Sequence, residues 1–348
     1  MEKQRIVFHH LSIPLKHRFD TAQSELIRRD IGLVEYLASG TGSAGWGEAS
    51  PFPGQDDSII DFLSVGRSGR VPATLRSGLE AAQADFGTRA RGEALSKYLG
   101  SSREKVPVSL AVGIGGNAPE IVDEAVARGV NRFKLKISPN RLSHVRQIRG
   151  DHPEAILGVD ANGSFEPSSA DQLASLADLG LAYIEEPCST SDWATLVRLK
   201  QLIDVPVFAD ESVRSIADAR VVLDSPLIDG VVVKPARLGL AGSIEAAKLA
   251  DASGKRWRAS GLFESGIGRA YTEILAAMPS AFLSDVAPAD WFFERDVVPS
   301  RFEGGHIAIP AGPGIGVEPD RDVVERYLVA SYDISELVTE SGVQALDR

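Results

Sequence analysis

The sequence has a single cysteine, Cys188, among 348 residues. An intrachain disulfide is excluded, and a reducing compartment is expected. No apolar run approaches the roughly 20 residues a membrane helix needs. The opening residues, Met1-Glu2-Lys3-Gln4-Arg5, lead into no apolar signal core. Positive charge is scarce: 37 Lys and Arg stand against 48 Asp and Glu, a formal net charge of -11. That balance argues against a nucleic-acid surface and favours solubility. The expectation is a cytoplasmic protein with neither membrane nor nucleic acid as partner.

What is present suits a barrel plus a smaller domain, since the chain is long for one core. Hydrophobic content of 43% and charged content of 24% are ordinary for a globular protein. One stretch organises the rest. In Phe133-Lys134-Leu135-Lys136-Ile137, apolar residues alternate with two lysines, a period-2 strand with both ammonium groups on one face. Downstream, Asp160, Glu185, Asp210 and Lys234 each end an apolar run. From Lys136 they follow at intervals of 24, 25, 25 and 24 residues. A single charge at the C-terminal end of successive strands is the layout of groups at the mouth of a parallel barrel.

Residues 1 to about 50 read as antiparallel, with strands at 6–15, 30–37 and 43–48, and a polar loop from His17 to Arg29. Ser39-Gly40-Thr41-Gly42 reads as a turn. Residues 56–65 and 72–99 read as helix, with Leu79, Ala82, Phe86 and Ala90 on one stripe. From Val106 onward Val/Ile-rich runs alternate with helical stretches. Strand candidates are 107–112, 132–137, 156–160, 181–185, 206–209, 229–233 and 256–260, with a weak last one near 281–283. This rhythm implies βαβ units with right-handed crossovers and favours a closed barrel over an open sheet. The domains expected are 1–104 as an α+β cap and 105–303 as the barrel. Residues 304–348 form a segment that ends helix-like and packs back on the cap.

Three carboxylates converging in a barrel mouth repel unless something neutralises them. A hard divalent cation with oxygen ligands does so, and Mg²⁺ prefers a few carboxylates plus water and substrate oxygens. Salt bridges to Lys134, Lys136 and Lys234 are the plainer alternative. None of the six histidines ends a barrel strand. A substrate carboxylate on the metal would place its α-carbon between Lys136 and Lys234, and a lysine beside such charge can serve as a base. Ser260 and Gly261 leave backbone N–H groups for an anionic substrate, and Glu264 reads as a helix-start carboxylate. Gly113-Ile114-Gly115-Gly116 reads as a turn more than as a phosphate cradle, Cys188 as inert, and Trp46-Gly47-Glu48 as hairpin structure.

The ordered motifs resemble the enolase superfamily, muconate-lactonising subgroup. Lys134-Leu135-Lys136 resembles its K-x-K motif. Val159-Asp160-Ala161-Asn162, Ile184-Glu185-Glu186-Pro187, Ala209-Asp210-Glu211-Ser212 and Val233-Lys234-Pro235 resemble its next four signatures. Phe292 to Asp296 and Pro313 to Val317 resemble the late segments of the o-succinylbenzoate synthase and N-succinylamino acid racemase branch. The resemblance implies a modified (β/α)7β TIM-like barrel with an α+β capping domain. It implies Asp160, Glu185 and Asp210 as Mg²⁺ ligands, Lys136 as base, Lys234 opposite it, and Lys134 balancing charge and contacting a substrate carboxylate. Asn162, Glu211 and Glu264 are expected to support these groups from behind. Arg29 is expected to face the substrate, with Arg28 a near-equal choice.

The activity implied is Mg²⁺-dependent dehydration of 2-succinyl-6-hydroxy-2,4-cyclohexadiene-1-carboxylate, a step of menaquinone biosynthesis. An N-succinylamino acid racemase or related cycloisomerase is the alternative. Glu186 stands where the racemases often carry glutamine. Ser284-Asp285-Val286 lacks the Asp-x-Asp pair of dipeptide epimerases, and residues 51–70 run short. The partner is a small carboxylate, and a homo-oligomer is compatible. Two other classes stay open: a Schiff-base aldolase using Lys136 or Lys234, and a barrel that keeps these residues as a structural ion network.

Overall fold

The computed structural model describes residues 4–20, 25–38, 44–56, 58–59, 71–115, 117–189 and 191–336. The turn at 39–42 and most of the helix expected at 56–65 lie outside these residues, as does Gly116.

Strands β1 (Gln4–Asp20), β2 (Glu25–Ala38) and β3 (Ala44–Ala49) form an antiparallel sheet. Alternation gives this sheet two apolar faces. Ile6, Phe8, Val34 and Tyr36 pack against Leu75, Leu79 and Ala82 of helix α1 (Ala73–Ala90). Leu11, Ile13, Ile31 and Leu33 join the barrel core. Ala90, placed on the helix stripe from sequence, is exposed. The expected loop from His17 to Arg29 is instead largely strand: Phe19 pairs with Leu26 and Ile13 with Arg29 across a long hairpin. His17, Arg18, Glu25 and Arg28 are exposed strand positions, which is why the stretch reads as loop.

After β4 (Lys105–Pro107), seven parallel strands follow. They are β5 (Leu110–Val112), β6 (Arg132–Lys136), β7 (Ile156–Asp160), β8 (Tyr183–Glu185), β9 (Val207–Ala209), β10 (Gly230–Val233) and β11 (Arg256–Ala259). They lie in chain order across one sheet with helices between. Segment 281–286 takes the place of the eighth strand. Phe282 N–H donates to Trp257 and Asp285 N–H to Ala259, while Ser109 N–H donates to Val286, so this segment bridges the two ends of the sheet. Aromatic side chains fill the barrel floor. Gly158 is required there, because a Cβ would lie 2.0 Å from the Tyr183 ring.

Beyond the barrel, β12 (Phe302–Glu303) and β13 (His306–Ala308) pair with each other, and β13 also with β4. Helix Arg321–Tyr327 then leads into β14 (Leu328–Asp333), which pairs with β1 on the edge of the cap sheet. The described tail therefore returns to the cap through a helix and a strand; the helix-like ending expected from the sequence falls largely on residues 337–348, which lie outside the described chain. Among the described residues no helix is long and apolar enough to cross a membrane.

Candidate active site

Register places the charged ladder on one rim. Lys136 pairs with Asp160 and Asp160 with Glu185 at the C-terminal ends of β6, β7 and β8. Asp210 follows β9 and Lys234 follows β10. Parallel strands in register must bring these ends together, whatever their charge. Asp160, Glu185 and Asp210 are buried, each offering an oxygen within 4.8 Å of the others. Three lysines lean on them. Lys136 Nζ lies 2.6 Å from Asp160 Oδ2, and Lys234 Nζ lies 2.6 Å from Asp210 Oδ2. Lys134 Nζ lies 2.7 Å from Glu185 Oε1 and 3.2 Å from Asp160 Oδ2.

The electrostatics leave room for a cation. Burial opposes ionisation of Asp160, but Lys136 and Lys134 outweigh it and hold the group below the usual carboxylate range. Burial also opposes Asp210, and Lys234 and Arg237 again prevail. Glu185 behaves the other way: burial raises it, and Lys134 only partly offsets this. Asp210 Oδ1 is buried and accepts no hydrogen bond. Three hard oxygen donors in one buried cluster, with burial still weighing against the charge of Glu185 and with Asp210 Oδ1 approached by Arg237 only at 3.5 Å, are what a divalent cation fits. The triad could hold a metal ion.

Residues 118–323 match the family model described as enolase C-terminal domain-like. The chain belongs to the enolase superfamily. It is similar to o-succinylbenzoate synthase of Geobacillus stearothermophilus, 30% identical over 359 residues that cover 92% of this chain and 95% of the relative. It is 34% identical to the N-succinylamino acid racemase of an Amycolatopsis species over 267 residues, 73% of this chain and 72% of the relative. A structure described as a probable mandelate racemase from Alicyclobacillus acidocaldarius matches with TM-score 0.81 at 30% identity, covering 95% of this chain and 99% of that one.

Around the triad, this superfamily member builds a supporting lattice. Asn162 Oδ1 accepts from Lys136 at 3.0 Å, and Asn162 Nδ2 donates to Glu211 Oε1 at 2.8 Å. Asn162 and Glu186 have φ of 45° and 36°, a left-handed backbone that non-glycine residues hold only when their surroundings enforce it. Glu186 accepts the Asp210 N–H at 2.6 Å and the Ser212 hydroxyl. Burial nevertheless pushes it up to about 8, with Glu211 adding to the rise. The pocket above holds Lys134, Lys136 and Lys234, under Phe19 and Phe52 from the cap and Phe263 and Phe292 from the barrel. Phe263 packs edge-on to Phe19 at 4.5 Å and to Phe292 at 4.7 Å.

Other expected residues sit elsewhere. Arg29 does not line the pocket. Its guanidinium is 1% exposed and donates to the carbonyls of Pro51, Leu262 and Phe263, bracing the cap against a barrel loop. Arg28, one residue earlier and on the other face of the strand, is exposed and bonds Ser12. The Ser260 N–H is not free for a substrate, because it donates to Val233 in the sheet. Gly261 lines the pocket. A Cβ there would meet the carboxylate end of Glu264, with Oε2 at 2.3 Å, so any larger residue requires that side chain to move. Glu264 does not cap the next helix, α2 (Gly266–Ala276); Ser265 does. Both Glu264 carboxylate oxygens are buried without a hydrogen bond. Gly113 meets the backbone of Asp20, a packing role. Cys188 is buried, and burial pushes its thiol up to about 12, which makes it unreactive.

Sequence reasoning missed two buried groups, Arg258 and Asp285. Arg258 Nη1 lies 2.9 Å from Glu185 Oε2, and its Nη2 lies 2.5 Å from Asp285 Oδ1. Asp285 Oδ2 lies 2.6 Å from Lys134 Nζ. The available signal was alternation in Arg256-Trp257-Arg258-Ala259, which puts both arginines on the face opposite Trp257, with Arg258 nearer the C-terminal end of the strand.

Proposed function

We propose that this chain is a Mg²⁺-dependent enzyme that removes the proton α to a carboxylate. Its reaction is dehydration of 2-succinyl-6-hydroxy-2,4-cyclohexadiene-1-carboxylate to o-succinylbenzoate. The observation that carries this reading is the placement of Lys136 and Lys234 in one pocket, on strands flanking the three that carry the carboxylate triad.

Asp160, Glu185 and Asp210 would hold Mg²⁺, which when bound steadies the negative charge that spreads onto the substrate carboxylate. Lys134 orients that carboxylate from the pocket edge. Lys136, as the amine, accepts the α-proton and returns it to the departing hydroxyl on the same face. One C–H and one C–O bond break, a ring double bond forms, and one water leaves. Lys234 stays an ammonium on the opposite face and stabilises charge without moving a proton. The phenylalanines over the pocket exclude water.

A racemase uses the same residues differently, with Lys136 and Lys234 as bases from opposite faces. The match to the Amycolatopsis racemase favours keeping this second reading. Glu186, where racemases often carry glutamine, supports the first; near-full-length matches run to a synthase and to a racemase alike. The test compares kcat/KM for the diene with kcat/KM for N-succinyl amino acids, and follows α-deuterium exchange from both enantiomers in D₂O. A much higher value for the diene is expected. A much higher value for the amino acids, with exchange from both faces, selects the racemase.

A further inference from the structure

Lys134 stands apart from the other two lysines. Its ammonium is shared between the triad, at Glu185 and Asp160, and one carboxylate outside it, Asp285 at 2.6 Å. Left to the triad alone, a buried lysine competes with any metal ion for the same oxygens. Of these three carboxylates Asp285 alone lies outside the triad, and it offers Lys134 a partner that a metal does not need.

Asp285 is itself rigidly held. Arg258, fully buried, grips Asp285 Oδ1 with Nη2 and Glu185 Oε2 with Nη1. The same Nη2 donates to the Leu283 carbonyl at 2.8 Å. Leu283 has φ of 37°, unusual for leucine, in the segment that presents this carbonyl. The guanidinium lies 3.7 Å from the centre of the Tyr183 ring, which forms the floor beneath it. Hydroxyls of Ser260 and Ser109 donate to Asp285 at 3.2 and 3.4 Å. Arginine suits this post because its planar fork reaches two carboxylates at once.

We infer that Asp285, anchored from the barrel floor by Arg258, is a positioning residue that holds the Lys134 ammonium at the pocket edge of the triad. Held there, Lys134 faces an incoming substrate carboxylate and, with its charge shared by Asp285, competes less strongly with a metal for the triad oxygens. This rests on the triad being a metal site. Ser260 acts through its hydroxyl on Asp285, not through its N–H on a substrate.

The experiment is calorimetric titration of the full chain with Mg²⁺ alone, without substrate, for wild type, Asp285→Asn, Lys134→Met and the double variant. Removal of a partner behind the ligands typically weakens metal binding about 10–100-fold. D285N should weaken Mg²⁺ binding by about tenfold or more, because Lys134 then settles on the triad. K134M should bind at least as tightly as wild type, and D285N in the K134M background should cost little. The double variant removes an ion pair as a pair, so it keeps the test alive if D285N alone fails to fold: double and K134M affinities within about threefold support the inference. D285N folded with wild-type affinity overturns it. So does a D285N loss that persists in full without Lys134. If wild type itself binds no Mg²⁺, the metal reading fails and this inference falls with it; if only the variants disagree, the metal reading stands.

Discussion

Glu48, on the cap strand β3, accepts the backbone N–H of Ser265 at 2.9 Å and the Ser265 hydroxyl at 2.5 Å. An acid from one domain thus caps the helix that follows the last regular strand of the other, and Gly268 N–H adds a third donor at 3.0 Å. Burial pushes Glu48 up to about 7 from an ordinary 4.5, against the hydrogen bonds from Ser265 and Ser50. The folded state therefore holds this proton more tightly than the unfolded chain. That contribution is fully present below pH 4.5 and is lost as pH rises through about 7. Glu48→Gln should be less stable overall, but its stability should fall less over that interval. Urea unfolding at stepped pH checks this; parallel curves would remove Glu48 as the titrating group.

Arg29 gives a prediction about structure, not substrate. Its three carbonyl partners join the hairpin, the segment after β3 and the loop after β11. Arg29→Ala should destabilise the fold by about 2–4 kcal/mol, the scale of losing charged hydrogen bonds in a buried place. Metal affinity should be little changed. A wild-type melting midpoint would show that the brace is idle.

How much was readable follows from where each residue sits. The ladder from Lys136 to Lys234 was visible because parallel strands end in register, so equal spacing in sequence becomes one rim in space. Asn162 and Glu211 were readable as neighbours of the ligands. Arg29 was misplaced although the signal existed: counting back by twos from Leu33 and Ile31 puts it on the buried face. Its charge hid that, because a buried arginine is normally read as an exposed one. Asp285 was hidden for another reason. The segment carrying it makes isolated bridges instead of a regular strand, so no period marked its direction. The returning strand β14 is mostly exposed, which removed the alternation that identifies a strand.

The triad makes a direct claim about metal. Asp210→Asn should abolish Mg²⁺-dependent turnover and leave the circular dichroism spectrum unchanged. Its side-chain contacts to Lys234 and Arg237 can be kept in part by the amide. Normal turnover of this variant after chelator treatment would mean the metal is assigned to the wrong place.

The two lysines of β6 should separate in kinetics. Lys136→Ala should lower kcat by about 10²–10⁴-fold, the range for a lost general base. Lys134→Ala should act mainly on KM, through the substrate carboxylate. Small, equal effects from both would make the pair a structural ion network.

The most direct test of the whole account follows the α-proton itself. With whichever carboxylate supports turnover, wild type and Lys136→Ala are assayed after exhaustive chelation and again after Mg²⁺ is restored. The account predicts that wild-type proton removal stops on chelation and returns with Mg²⁺, while the variant stays inactive in both conditions. Proton removal by wild type that continues without metal, or by the variant at the wild-type rate, would contradict it.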